Sequence, residues 1–267
     1  MTTMLKLSHV TKTFNKGTVT EKRALTGVNL ELAEGDFVTV IGGNGAGKST
    51  LLNMIAGVYP LDAGTIELDG TDVSRMTEPQ RAKFLGRVFQ DPMRGTAADM
   101  QIAENLALAK RRCQKRGLSW GISAKEKEEY PELLATLGLG LETRMSAKVG
   151  LLSGGQRQAL TLLMATLTNP KLLLLDEHTA ALDPKTAKKV LDLTEQIVTE
   201  RGLTTLMITH NINDAIRLGN RLIMMHEGNV IYDVRGEEKK SLTVPDLLQK
   251  FEEVSGGELA NDRMLLS

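Results

Sequence analysis

The chain has 267 residues, 41% hydrophobic and 25% charged, enough apolar material to bury one elaborated domain or two closely packed lobes. Its 33 Lys and Arg balance 33 Asp and Glu, so no overall positive field calls for nucleic acid or an anionic membrane, and no apolar run approaches the length of a membrane-spanning helix. The single cysteine, Cys113, excludes an internal disulfide, and the lack of spaced Cys and His sets argues against zinc; a reducing, cytosolic compartment is expected, as is a chain that is not secreted, because "MTTMLKLSHVTKTF" contains no apolar leader core.

Residues 5–40 and 64–73 carry short alternating runs such as "LKLSHVTKTF" and "TIELDG" separated by Gly and Asp turns, which predict an antiparallel β-subdomain at the edge of a larger sheet. Within the first stretch, Phe37 to Ile41 is a short apolar run of the buried-strand type. It leads into Gly42-x-x-x-x-Gly47-Lys48-Ser49 and then a helical pattern with Leu51, Leu52, Met54 and Ile55. In that strand–loop–helix context the glycines let backbone N–H groups curl around phosphate oxygens, and the helix N-terminus adds partial positive charge. Lys48 then reaches the β- and γ-phosphates, and the Ser49 hydroxyl is a ligand for Mg²⁺.

From residue 91 to about 168 helical patterns dominate, notably "QIAENLALAKRRC" and "AKEKEEYPELLATLG". The run "KRRCQKRG" at 110–117 carries five basic side chains and reads as a solvated helix end, with phospholipid headgroups or a membrane partner as the alternative. The stretch "KVGLLSGGQRQAL" raises a question, since one nucleotide needs only one glycine loop. Ser153 is placed to cap the helix that follows, leaving the N–H groups of Gly154 and Gly155 to meet an anion arriving from outside. Leu172 to Leu175 is a continuous apolar run fit for a parallel strand covered on both faces, ending in Asp176 and Glu177. Alone this pair reads equally well as the start of a polar turn. Beside a phosphate loop, Asp176 is placed to hold Mg²⁺ and Glu177 to orient or deprotonate the attacking water. Thr204 to His210 is another β-rich run; a histidine at a strand end is ordinarily a polar terminus, but in a neighbouring parallel strand His210 would face the γ-phosphate. The tail "VPDLLQKFEEV" predicts one amphipathic helix, too short for a substrate-sensing domain, and no internal repeat is present.

Taken in order, Gly42 to Ser49, Gln90, "LSGGQ" at 152–156, Asp176-Glu177, "ALD" at 181–183 and His210 resemble the nucleotide-binding subunit of an ATP-binding-cassette (ABC) transporter, over about residues 5–235. The resemblance implies an α/β fold: a P-loop NTPase ABC cassette with a RecA-like core, an antiparallel β-subdomain and a helical subdomain inserted at about 91–168. One cassette would occupy residues 1–235 and a short helical tail 236–267. It implies ATP and Mg²⁺ as ligands and a head-to-tail dimer in which each ATP touches one subunit's phosphate loop and the other's LSGGQ loop, so that the second loop serves the partner's nucleotide. On this reading Gly42, Asn44, Gly45, Gly47, Lys48, Ser49 and Thr50 hold phosphate, and Phe14 stacks on adenine, with an ordinary strand phenylalanine as the alternative. Ser153, Gly154, Gly155, Gln156 and Asp183 complete the opposite site. Glu177, His210 and Gln90 are catalytic, and Ser49, Gln90 and Asp176 face the metal. The residue after the catalytic glutamate, usually proline in the family, is His178, and no catalytic role is assigned to it.

The expected partners are a second copy or a paralogous cassette, integral membrane permease subunits docked near "DPMRGTAADM" with Tyr59 and Leu85 lining the groove, and an extracytoplasmic solute-binding protein; nucleic acid is not among them. The expected location is the cytoplasmic side of the membrane. The same stretch resembles importers of the tryptophan/tyrosine type, so import of a small organic solute such as an amino acid is the leading expectation. A soluble single-cassette ATPase of a protein or cluster-assembly complex shares every catalytic motif and is the alternative. DNA-repair ATPases are disfavoured because no heptad-repeat insertion divides the chain.

Overall fold

The computed structural model describes residues 2–114 and 121–255, so residues 115–117 of the basic run and the chain after 255 lie outside the described residues. Strands β1 (Thr3–Phe14) and β2 (Lys22–Ala33) form a long antiparallel pair. Next come β3 (Phe37–Ile41) and helix α1 (Lys48–Ala56), and then β4 (Ala63–Leu68) and β5 (Thr71–Asp72) complete a four-stranded sheet in the order β2-β1-β4-β5. The alternation seen in the sequence sends Leu5, Leu7, Leu30, Leu32, Ile66 and Leu68 inward, where they share one core with Val38, Val40, Leu52 and Ile55. This antiparallel unit is a sheet of its own, packed on the main one.

Helix α2 (Glu78–Arg81) and β6 (Leu85–Val88) lead to three helices, α3 (Ile102–Lys110), α4 (Ala124–Ala135) and α5 (Gly154–Thr166). The chain then alternates: β7 (Leu172–Asp176), α6 (Pro184–Arg201), β8 (Thr205–Ile208), α7 (Ile212–Arg217), a β9 (Arg221–His226) and β10 (Asn229–Arg235) hairpin, α8 (Gly236–Lys240) and α9 (Val244–Ser255). The main sheet has the order β10-β9-β3-β8-β7-β6, parallel except for β10 at one edge. Its central strands read "FVTVI", "LLLLD" and "TLMI" because both faces are covered, leaving no reason to alternate. In a parallel sheet the carboxyl ends of β3, β7 and β8 share one rim, which brings together residues 42–47, 176–177 and 209–210.

Helix α5 is apolar on two sides. Leu160 and Leu163 pack with Ile102, Leu106 and Leu134 of the helical region, whereas Leu162 and Ala165 pack on Leu173 and Leu175 of β7. The end of α3 is tied down by ion pairs from Lys110 to Glu129 (2.6 Å) and from Arg111 to Glu126 (2.7 Å) on α4. These two members of the basic run are therefore engaged within the chain, each pair being worth at most about 1 kcal/mol at such exposure. At the other end α9 lays Leu247 and Phe251 against Ile212, Met224 and Val234. Among the described residues no helix is long and apolar enough to cross a membrane.

Candidate nucleotide site

The loop after β3 can exist only with glycine at two points. Gly42 has φ +149°, and a Cβ there would lie 2.2 Å from the Met225 carbonyl oxygen; Gly47 has φ +99°, and a Cβ would lie 2.5 Å from the Ala24 carbonyl oxygen. The obstructing atoms are backbone, contributed by β9 and β2, so neither can move aside. The β9–β10 turn holds the same loop, with the Gly228 N–H donating to the Ala46 carbonyl (3.0 Å). Gly47 caps α1 without a side chain, so the first N–H groups of α1 face the cleft uncovered by any cap side chain. Lys48, buried, donates through Nζ to the carbonyls of Gly42 (2.6 Å) and Gly43 (3.1 Å).

This loop is the floor of a cleft of about 460 Å³ walled by Asn44 to Thr50, Phe14, Lys22, Glu177 and His210. The structure thus brings Phe14, the phosphate loop, Glu177 and His210 together. The His210 Nε2 lies 2.5 Å from Glu177 Oε1. Glu177 has φ +47°, a left-handed conformation that costs a non-glycine residue roughly 1–2 kcal/mol and directs the glutamate out of the strand line. Its N–H donates to Ile208 (3.1 Å) and its carbonyl accepts from Ala180 (3.0 Å), which holds the turn on β8. Phe14 is braced edge-to-face by Tyr59 at 5.2 Å. Leu85 borders a cleft with Phe89, Arg94 and Met164, and Tyr59 borders another with Pro60, Arg75 and Arg81.

Asp176, half-buried at the end of β7, is pushed up from the usual carboxylate range by burial, against the charges of Arg87 and Lys48, which pull it down. Arg87 Nη2 lies 3.8 Å from Asp176 and donates to Asn53 (2.7 Å). A hydroxyl on Ser49, which faces the cleft, and a desolvated carboxylate on Asp176 are hard oxygen donors of the kind Mg²⁺ takes beside phosphate. Gln90 is exposed beyond β6 and is not part of the cleft wall.

Ser153 to Gln156 and Asp183 do not line this cleft either. Ser153 caps α5 in a reciprocal box: its hydroxyl accepts from the Gln156 N–H (3.3 Å), and the Gln156 side-chain oxygen accepts from the Ser153 N–H (3.2 Å). Gln156 also donates to the Leu139 carbonyl (3.3 Å). A Cβ on Gly155 would sit 2.1 Å from the Thr186 methyl group on α6. Asp183 caps α6, accepting from the Thr186 N–H (3.1 Å), and its hydrogen bonds with Thr186 hold its carboxyl below the usual range.

Sequence reasoning missed three side chains here. Lys22 faces Phe14 in the β1–β2 register and lines the cleft; Arg87 backs Asp176; and Arg157 Nη2 gathers the carbonyls of Val149 (3.2 Å), Gly150 (3.0 Å) and Leu152 (3.3 Å) beneath the Ser153 turn. A basic residue opening a strand, lying within one, or following a glycine turn is the trace that Lys22, Arg87 and Arg157 respectively leave in the sequence.

The ABC transporter family model matches residues 25–180. The tyrosine transport ATP-binding protein of Clostridioides difficile is 44% identical over 249 residues, covering 93% of this chain and 99% of that protein. The xylose/arabinose import ATP-binding protein of Sulfolobus acidocaldarius is 34% identical over 94% of this chain and 96% of that protein. Among solved structures, a dimeric ATP-binding cassette in a post-hydrolysis state bound to ADP and Pi superposes with a TM-score of 0.74 at 32% identity, over 87% of this chain and 98% of that one. The chain belongs to the ABC transporter family, as an ATP-hydrolysing, ATP-binding subunit.

Proposed function

We propose that two copies of this chain, or this chain and a paralogue, close head to tail on two ATP molecules and by hydrolysing them drive permease subunits that import a small organic solute, an amino acid such as tyrosine in the first instance. The observation that carries this reading is the separation of the two glycine turns: the cleft at Gly42–Ser49 holds Glu177 and His210, while the turn at Ser153–Gly155 opens elsewhere on the same chain. One subunit then supplies half of each of two sites.

Within such a site Lys48 and the α1 N-terminus bind the β- and γ-phosphates, Phe14 stacks on the base, and Ser49 and Asp176 hold Mg²⁺ with Gln90 reaching it. When bound, Mg²⁺ would supply charge neutralisation at the phosphates, and catalysis by this chain's own residues is otherwise positioning. Glu177 accepts a proton from the attacking water or orients it, and His210 steadies the Glu177 carboxylate and faces the γ-phosphate. Ser153, Gly154, Gly155 and Gln156 bring the α5 N-terminus to the partner's γ-phosphate, and Asp183 crosses the interface. Residues 1–235 act as one cassette with the helical region at about 91–168 as its moving part, and residues 236–267 form a short tail whose part at 236–255 packs on it.

The permease contact falls in a cavity of about 300 Å³ bordered by Leu85, Phe89, Arg94, Arg112 and Met164, between β6 and the helical region. Apolar walls edged by guanidinium groups suit a short amphipathic helix carrying acidic residues. On this reading the subunit works on the cytoplasmic face of the membrane, with an extracytoplasmic solute-binding protein acting through the permease. The name of the Clostridioides difficile relative supports the choice of cargo. The test is reconstitution with the permease and binding protein in vesicles: tyrosine should stimulate ATP turnover, and a response to sugars but to no amino acid would overturn the assignment of cargo.

A further inference from the structure

His178 is one of four histidines in the chain and the only one that is buried, 2% exposed, directly after Glu177. Its Nε2 lies 3.1 Å from the Thr194 hydroxyl oxygen, in the middle of α6. Thr194 is itself fully buried, and its hydroxyl is 2.8 Å from the Val190 carbonyl, one turn earlier. A carbonyl oxygen can only accept, so the single Thr194 hydrogen goes to Val190. The threonine oxygen must therefore accept from His178, which fixes the tautomer: the proton is on Nε2, and Nδ1 is a bare acceptor without a partner in the interior. A buried imidazole with an orphan nitrogen is an expensive way to fill space that an apolar side chain would fill at no polar cost. Burial holds the ring neutral, its pKa pushed down to about 4.

The bond joins two elements that matter. The turn at 176–180 holds Glu177 at φ +47°, a conformation that something outside the residue must maintain. Helix α6 carries the Asp183 cap and Thr186, whose methyl group rests against Gly155 of the other half-site. Thr194 lies eight residues beyond Thr186, about 12 Å along the same rigid rod.

We propose that His178 is a positioning residue for ATP hydrolysis: its Nε2–H bond to Thr194 fastens the 176–180 turn to α6 and so sets the direction of the Glu177 carboxylate relative to the Ser153–Gly155 turn that the same helix supports. The inference rests on the reading of Glu177 as the residue that directs water.

The test uses the full chain with its permease partners. Thr194→Val keeps the shape and removes the acceptor; it should lower kcat roughly tenfold, as expected of a displaced catalytic group, while leaving the KM for ATP within about twofold. Thr194→Ser keeps the hydroxyl and should restore kcat. His178→Gln places an N–H near the same point and should retain most of the turnover that His178→Met loses. If Thr194→Val does not fold, the Gln and Met pair decides. Equal kcat for Thr194→Val, Thr194→Ser and wild type, or for the Gln and Met variants, would overturn the proposal, as would kcat and KM drifting together in step with melting temperature. Glu177→Gln is assayed in parallel. If it hydrolyses at the wild-type rate, the reading of Glu177 fails; if it is inactive while Thr194→Val is normal, only the role of His178 fails.

Discussion

The two glycine turns of this chain are held in opposite ways. The phosphate loop is confined by backbone: the Ala24 and Met225 carbonyls come within 2.5 Å of where a Cβ would be, and the Gly228 N–H grips the loop from the β9–β10 turn. The Ser153–Gly155 turn is confined by side chains: the Gln156 box, the Arg157 guanidinium beneath it and the Thr186 methyl group beside Gly155. A loop gripped by two strands and a hairpin turn is rigid before any ligand arrives, which suits a site that must present a row of N–H groups to phosphate. A turn propped by side chains on helices can travel with those helices, which suits a surface that must approach and leave a partner.

The sharpest break would come from Glu177, the proposed water-directing group, which lines the cleft of the first turn and not the second. Glu177→Gln should lower turnover by about 100-fold or more while ATP binding persists, because an amide cannot accept the proton. Size-exclusion chromatography in MgATP should then show a lasting dimer. A monomer with normal hydrolysis would remove Glu177 from the chemistry.

Substituting the two kinds of glycine separates backbone from side-chain confinement. Gly47→Ala should weaken ATP binding at least about tenfold, and trimming neighbouring side chains should not rescue it, since the obstruction is a carbonyl at φ +99°. Gly155→Ala should bind ATP normally as an isolated subunit yet turn over several-fold more slowly, and Thr186→Ser, which removes the colliding methyl group, should restore it. Isothermal titration and steady-state rates read both. Rescue of Gly47→Ala, or failure to rescue Gly155→Ala, would dissolve the distinction.

Smaller effects concern the props. Arg157→Ala should cost about 1–3 kcal/mol of stability, because three carbonyls lose a charged donor. Ser153→Ala should cost about 1 kcal/mol and Ser153→Asp close to nothing, since an aspartate caps a helix as well as a serine does. Denaturant melts measure each.

The contrast also explains what could be read in advance. The phosphate loop, the "LLLLDE" strand and the Ser153 cap are each specified by neighbours within a few residues, so their character shows in a short string. The residues that escaped notice act from another element. Lys22 reaches the cleft only because the β1–β2 register sets it opposite Phe14. Arg87 meets Asp176 because β6 lies beside β7. The link from His178 to Thr194 crosses from the Glu177 turn to the middle of a helix. The edge-to-face contact of Tyr59 with Phe14 has the same cause, since it depends on how the antiparallel sheet packs on the rest. In the basic run, Lys110 and Arg111 were expected to face solvent, but the glutamates that pair with them lie on the next helix.

The claim on which the rest depends is that the second turn serves another subunit's nucleotide, and pairing two differently damaged protomers tests it directly. Lys48→Ala spoils the phosphate loop and leaves the Ser153 turn sound; Ser153→Asp keeps the helix cap but sets a carboxylate where the partner's γ-phosphate would lie. Each alone gives dimers with two defective sites. In a mixed dimer both defects fall on one site and the other is intact, so random pairing should return occlusion of labelled ATP to roughly a quarter of all sites. Occlusion in the mixture no greater than in its two components, with mixed dimers demonstrated by differential tags, would contradict the shared site.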